Sequence, residues 1–382
     1  MGETRMTERR ASAQRTPTGT GAAEGTSAEA APPEARPLRL GFFTRLMEDE
    51  AAGGRYRHAL EQIAYAEELG FETAWVAQHH FHRAEGGLPS PFVLLSAATQ
   101  RTSSIRLGTA IVTLPMENPV RVAEDAAVLD LLSGGRVELG LGSGGNPRSF
   151  PAFGAEFAQR RELMAEKLAV LRGLLAGDAA AAGHALYPTV AELPGAASAA
   201  GSAAPPLAGR IWQATFSEGG GAHAGAGGDG LMLSRSQPRP EEHPEWDLLD
   251  LQGPVIAAYD AALPAGARRR VLASRTAFVT DAAHREEIIA RTAAGLREEA
   301  PRLIGRTVEG LSDAEVLRVT NTFAGTAEEV ADGLAAEQTL DPAAGLVTDV
   351  SFQVHSVPAT HAETMRSLEL LAGEVFPALG WR

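Results

Sequence analysis

Between Leu38 and Leu379, short apolar or β-branched runs alternate with longer stretches of helical periodicity, and this alternation most constrains what the chain can fold into. The strand-like runs are Leu38–Arg45, Thr73–Gln78, Ile105–Leu114, Val137–Leu141, Arg210–Ala214, Leu231–Leu233, Val271–Val279 and Asp349–Val354. Helical patterns follow them at Tyr56–Leu69, Pro91–Arg101, Pro119–Leu132, Phe157–Leu175, Gly219–Gly228, Val255–Ala262, Ala282–Glu299 and His361–Leu379, with one more at Gly325–Ala336. Ile105–Leu114 is almost wholly apolar, which predicts a strand buried on both faces. Strands and helices in this rhythm predict parallel pairing through right-handed crossovers. A doubly wound open sheet can produce the same string. The number of units, and the lack of a glycine fingerprint in the first, favour closure into a (β/α)8 TIM barrel with insertions.

Two segments break the rhythm. Residues 176–209 are rich in Ala, Gly, Pro and Ser and read as a surface excursion. Residues 301–323 form a second long connection. Residues 1–37 lack the apolar stretch of a secretory signal and are too polar to bury a core, so a disordered leader is expected there, in front of a barrel domain over residues 38–382. Met6 is a second possible start.

Composition narrows the function. The sequence has no cysteine, which excludes disulfides, thiolate chemistry and iron–sulfur ligation. Its net charge of −14 repels phosphate backbones, so nucleic acid is a poor partner. No apolar run reaches the roughly 20 residues needed to cross a bilayer. A cytoplasmic protein acting on a small molecule, with no membrane partner, is the expectation.

Barrel enzymes keep their chemistry at the C-terminal ends of the strands. After the second strand comes Gln78-His79-His80-Phe81-His82, and imidazoles serve as bases, acids or metal ligands near neutral pH. After the fourth comes Gly140-Leu141-Gly142-Ser143-Gly144-Gly145-Asn146-Pro147-Arg148, where glycines let a ring or phosphate approach the backbone. Many such runs are simple turns. After the fifth, Thr215-Phe216-Ser217-Glu218-Gly219-Gly220-Gly221 leads into a helix. Ser217 suits an N-cap, and a capped helix N-terminus can also hold a phosphate. Glu218 would repel that phosphate and is expected to point outward. After the sixth, Ser234-Arg235-Ser236-Gln237 supplies hydroxyls and a guanidinium, with Arg235 either a phosphate fork or an ordinary surface charge.

These residues resemble a known family. Phe71-Glu72-Thr73-Ala74-Trp75-Val76-Ala77-Gln78-His79-His80-Phe81 is similar to the second strand of bacterial luciferase-like flavin monooxygenases. So are the stretches Ile105–Pro115, Asn118–Asp125 and Val128–Arg136, with Gly325–Val330 and the last helix continuing the likeness. The resemblance implies a TIM barrel and reduced FMN delivered by a separate flavin reductase. It implies His79 as the catalytic base with His80 beside it, and a non-prolyl cis peptide at Ala110–Ile111 beneath the flavin ring. Ser143 and Gly144 match positions that meet the flavin and its phosphate, Ser217 and Gly220 match phosphate-binding positions, and Met232 and Ser234 match the wall beside the ring. Where luciferase has a phosphate-pairing arginine, this chain has Ser143, with Arg148 or Arg235 as candidate substitutes. Residues 301–323 correspond to a mobile lid, expected to be poorly ordered without ligand. A homodimer through the helices near the second and third strands is also implied.

The favoured function is therefore an FMN-dependent monooxygenase that uses O2 to oxygenate a small organic substrate. One alternative keeps the barrel and exchanges FMN for F420, transferring hydride. A distant one is a metal-dependent hydrolase using His80-Phe81-His82, but that pattern follows the wrong strand and only His355 lies at a later strand end.

Overall fold

The computed structural model describes residues 38–196, 205–243, 245–355 and 357–382, the side chain of Arg302 excepted. The expected leader over residues 1–37 lies outside them, as does the centre of the low-complexity excursion. The strands are β1 (Arg39–Thr44), β2 (Thr73–Val76), β3 (Arg106–Thr109), β4 (Val112–Thr113), β5 (Val137–Gly142), β6 (Ile211–Ala214), β7 (Gly230–Leu233), β8 (Val271–Val279), β9 (Thr322–Gly325) and β10 (Asp349–Gln353). They pair in parallel in the order β10–β1–β2–β3–β5–β6–β7–β8, and β10 returns to β8, which closes the barrel. β3 and β4 form one stave of this barrel, interrupted at Ala110–Ile111, whose peptide bond is cis.

The helices are α1 (Ala52–Glu68), α2 (Pro91–Ala98), α3 (Pro119–Ser133), α4 (Arg160–Leu175), α5 (Glu218–Ala226), α6 (Leu248–Ala262), α7 (Arg285–Ile304), α8 (Asp313–Val319), α9 (Ala327–Ala335) and α10 (His361–Leu370). α10 runs on through a wider turn at Leu371–Val375 into Phe376–Ala378. Helix ends follow local chemistry. The Asn118 side chain accepts from the Val120 and Arg121 amides to start α3, and Gly134, at φ 68°, takes the left-handed conformation that stops it.

Barrel closure depends on what fills the interior. Trp75 and Trp212 meet edge to face there, with ring centroids 5.7 Å apart, and pack against Met232 and Leu272. The neighbouring paired strands must yield space for two indoles. A Cβ at Gly108 would lie 2.2 Å from the Trp75 ring, and one at Gly230 would lie 2.1 Å from the Trp212 ring. Beneath the rings is a charged layer. Glu138 accepts from Trp212 Nε1 at 2.6 Å and pairs with Arg106, Arg39 pairs with Asp349 at 2.6 Å, and Arg270 lies over the Trp212 ring.

The stretch Val128–Arg136 proves to be a structural staple at the opposite end from the strand tips. Asp130 and Arg210 are fully buried and bonded twice, at 2.7 and 2.6 Å, and Arg210 also donates to the Gly135 and Val137 carbonyls. Arg136 donates to Thr102 and to the Ile105 carbonyl, which holds α3 and β5 to the start of β3.

Three expectations need correction. Residues 301–323 are structured: α7 extends to Ile304, α8 follows, and β9 begins at Thr322. A reciprocal Ser312–Glu315 cap starts α8, and Val316, Leu317 and Val319 bury themselves against Leu296, Ala300 and Leu303 of α7. α6 begins at Leu248, capped by Asp247, so Pro254 lies inside it and does not open it. The continuous strand over Ile105–Leu114 is broken in two. The described part of the low-complexity excursion is anchored by the buried side chains of Leu186, Leu193 and Leu207. Asp130→Ala strands a buried guanidinium and is expected to destabilise the fold by about 3–5 kcal/mol in urea denaturation; a loss below about 1 kcal/mol would contradict the staple.

Candidate active site

Strand register sets the rim. Val76 is level with Thr109, Thr113 with Gly142, Gly142 with Ala214, and Ala214 with Met232. The chain leaves the sheet just beyond these residues, which brings His79, the Ala110–Ile111 peptide, Ser143, Ser217 and Ser234 to one end of the barrel. Phe43, Ala110, Ile111 and Ala214 are only partly buried there and rest on the cluster of Trp75, Trp212, Met232 and Leu272. Together they make an apolar floor at the mouth. Gly142 keeps that floor open, because a Cβ would lie 2.9 Å from Ile111 Cδ1.

The two histidines sit in different settings. The His79 amide donates to the Leu88 carbonyl at 2.8 Å, and its ring packs on buried Gly86, where a Cβ would lie 2.5 Å from Nδ1. Gly86 has φ 155°. His80 is half-buried with its ring edge on Phe153, centroids 4.6 Å apart, and Nε2 has no hydrogen-bond partner among the described residues. Burial lowers the His80 pKa, and nearby Glu117 only partly offsets it. His80 is thus biased toward the neutral imidazole. Gln78 locks the same corner: its Oε1 accepts from the Thr113 amide at 2.8 Å, and its Nε2 donates to Glu117 at 2.7 Å. Sequence analysis assigned Gln78 no role, although a glutamine beside the histidines can serve both a backbone N–H and a carboxylate.

The opposite side of the rim is polar. Ser217 caps α5 by accepting from the Gly220 amide at 3.2 Å, and Glu218 is exposed. The Gly220 N–H is therefore turned to Ser217. Much of the glycine content of α5 serves packing: a Cβ at Gly221 or Gly225 would come 2.5 or 2.3 Å from carbonyl oxygens of α6. Ser143 and Gly144 are half-buried, with Gly144 at φ 77°. The Ser234 and Ser236 hydroxyls are 2.9 Å apart. Arg235 is 4% exposed, so it is no surface charge, and its carbonyl accepts from Asn321 Nδ2 at 2.8 Å. Arg148 is exposed on the loop after β5.

Sequence reasoning missed the aromatic lip. Phe81 is 70% exposed at φ 66°, a conformation rare for a bulky residue, and it meets Phe153 with centroids 6.0 Å apart. Phe216 is also exposed on the rim. Asn146 donates to Glu85 at 2.7 Å and joins the loops that carry Phe81 and Phe153. Neither His80 nor His82 joins a third histidine or carboxylate in a metal-capable group among the described residues. His355 lies elsewhere, buried, with Nδ1 bonded to the Val357 carbonyl. A separate cavity of about 830 Å³ opens beside β9, α8 and α9.

The family model for luciferase-like monooxygenases matches residues 39–341. The chain belongs to that family. Among curated relatives of this luciferase-like chain, 4-hydroxyprotoasukamycin monooxygenase of Streptomyces nodosus subsp. asukaensis is 40% identical over 119 residues, 31% of this chain and 32% of the relative. The match thus spans about a third of that relative's length. Three solved structures share the fold. Monooxygenase RslO1 from Streptomyces bottropensis has a TM-score of 0.66 at 23% identity, covering 89% of this chain and 99% of that one. The oxygenating constituent of 3,6-diketocamphane monooxygenase from Pseudomonas putida, in complex with FMN, has a TM-score of 0.64 at 19% identity over 90% and 98% of the chains. An F420-dependent secondary alcohol dehydrogenase gives 0.61 at 18% identity over 90% and 99%. Among the described residues of this luciferase-like chain, no helix is long and apolar enough to cross a membrane.

An NMR titration of the imidazoles should place the His80 midpoint below the ordinary 6.5. The unfolded chain then takes up a proton that folded His80 resists, so this residue's contribution to stability falls as pH drops below 6.5. A midpoint at or above 6.5 would contradict the burial argument.

Proposed function

We propose that this chain is an FMN-dependent monooxygenase that receives reduced flavin from a separate reductase and oxygenates a small, apolar organic substrate in the cytoplasm. The observation that carries the reading is the two-sided mouth: an apolar floor of Phe43, Ala110, Ile111 and Ala214, bordered by the hydroxyls of Ser143, Ser217 and Ser234. A flavin has the same division, with a flat ring at one end and a polar, phosphate-bearing tail at the other. Ala110, Ile111 and Met232 would hold the ring, and Ser143, Gly144, Ser217, Gly220 and Ser234 the tail. Arg235, buried beside them, is a candidate for the cation that Ser143 does not supply. When bound, the reduced cofactor supplies the electrons that activate O2.

The protein's own share is positioning and proton handling. His79, fixed by Leu88 and Gly86, is placed to move a proton, and His80 beside it is biased toward the neutral form. The lip of Phe81, Phe153 and Phe216 would cover an apolar substrate and keep water out of the mouth. The lack of an arginine at Ser143 favours one second reading, hydride transfer with F420. Absorbance and fluorescence titrations separate the two: saturable FMN binding that sharpens on reduction is expected, and binding of F420 alone would overturn the FMN reading.

A homodimer through α2 and α3 belongs to the same proposal. Val128, Leu131 and Leu132 are exposed at helical spacing on α3, and Val93 is exposed on α2. Sedimentation should show a dimer that Leu131→Glu with Leu132→Glu dissociates; a monomeric parent chain would refute it.

A further inference from the structure

The first and last helices of the barrel meet at a cluster unrelated to the mouth. His58 and Glu61 lie one turn apart on α1, and His361 begins α10. One donor atom from each lies within 4.8 Å of the others. The imidazoles of His58 and His361 stack with centroids 4.0 Å apart and planes 7° from parallel, and His361 Nε2 is 3.2 Å from Glu61 Oε2.

Each ring is also gripped from behind. Glu50 Oε1 contacts His58 Nδ1, which leaves the opposite nitrogen available. Gln62 Nε2 lies 3.2 Å from His361 Nδ1 and 2.7 Å from Glu48 Oε1. Metal-ligating histidines are oriented in this way, through the nitrogen that does not touch the ion. A second observation points the same way: Gln62 is fully buried, and its Oε1 has no hydrogen-bond partner among the described residues. A metal on His361 Nε2 requires a proton on Nδ1. The Gln62 amide would have to turn over to accept that proton, giving up its bond to Glu48, which keeps the His355 imidazole nearby.

We propose that His58, Glu61 and His361 form a site for a zinc-class divalent cation that staples α1 to α10. These helices flank the seam where β1 pairs with β10, so the ion would bind the two ends of the barrel chain together. A tetrahedral zinc with bonds of about 2.0–2.1 Å needs ligand atoms about 3.3 Å apart, with water as the fourth ligand. The three side chains are partly exposed, so side-chain rotation suffices to close the remaining distance and splay the parallel rings. Glu50 on His58 and Glu48 behind Gln62 set two carboxylates beside the cluster and favour a cation over an anion. One turn further along, Tyr65 donates to Glu369 at 2.6 Å and joins the same two helices without a metal.

The test uses the full chain, stripped with EDTA and desalted, then titrated with zinc chloride by calorimetry and by competition with a chromophoric chelator. One zinc per chain at micromolar affinity is expected, together with a rise in melting temperature that EDTA reverses and magnesium does not reproduce. His58→Ala with His361→Ala should abolish both effects, and Glu50→Gln should weaken binding by about 10–100-fold. Circular dichroism of the zinc-free variants reports whether they fold; if the double variant does not, the decision rests on Glu61→Gln and Glu50→Gln. No saturable binding, or unchanged affinity in the folded variants because His79, His80 or His82 captures the zinc, would overturn the proposal.

Discussion

Two indole rings set the geometry of this molecule. The interior of an eight-stranded parallel barrel is narrow enough for side chains to fill it. Here Trp75 and Trp212 fill the middle, and glycine at the paired position of the neighbouring strand is the condition for each to fit. The indole N–H of Trp212 needs a partner once buried, and Glu138 provides it. Glu138 in turn pairs with Arg106, which accounts for the charged layer beneath the rings. The floor of the mouth is the upper surface of the same plug, so the packing that stabilises the barrel also fixes the depth of the site.

Above that floor the two sides of the rim differ in chemistry. The stave interrupted between β3 and β4 presents Ala110 and Ile111 to the mouth, while the ends of β5, β6 and β7 present hydroxyls and a buried arginine. For a chain of net charge −14, the buried Arg235 one residue beyond Ser234 is a local exception that, under the proposed reading, would suit an anionic ligand tail. Phe81 and Phe153 of the aromatic lip lie beside His80, while Phe216 adjoins Ser217 at the start of α5.

The strand–helix alternation was readable because each stave is a short apolar run bounded by turn residues, and the cap Ser217 was readable from local chemistry. The rim positions followed once the strand ends were known. What could not be read depends on tertiary contact. The helical pattern starts at Val255 in the sequence, yet Asp247 and Asp250 cap each other and begin α6 at Leu248. Residues 301–323 look like a connection because the apolar face of α8 is short and becomes significant only against α7. The glycines of α5 suggest a phosphate cradle, while their close contact with α6 appears only in three dimensions. His58 and His361 are about three hundred residues apart in sequence, and barrel closure brings them together.

The proposed function places the flavin on the tryptophan-backed floor at the barrel mouth. Hydrogen–deuterium exchange with and without saturating FMN tests this directly, because it locates the ligand without knowledge of the substrate. The account predicts slowed exchange around Ala110–Thr113, Ser143–Asn146, Ser217–Gly221 and Ser234–Gln237. Protection confined to α8, β9 and α9, beside the separate cavity, would contradict it.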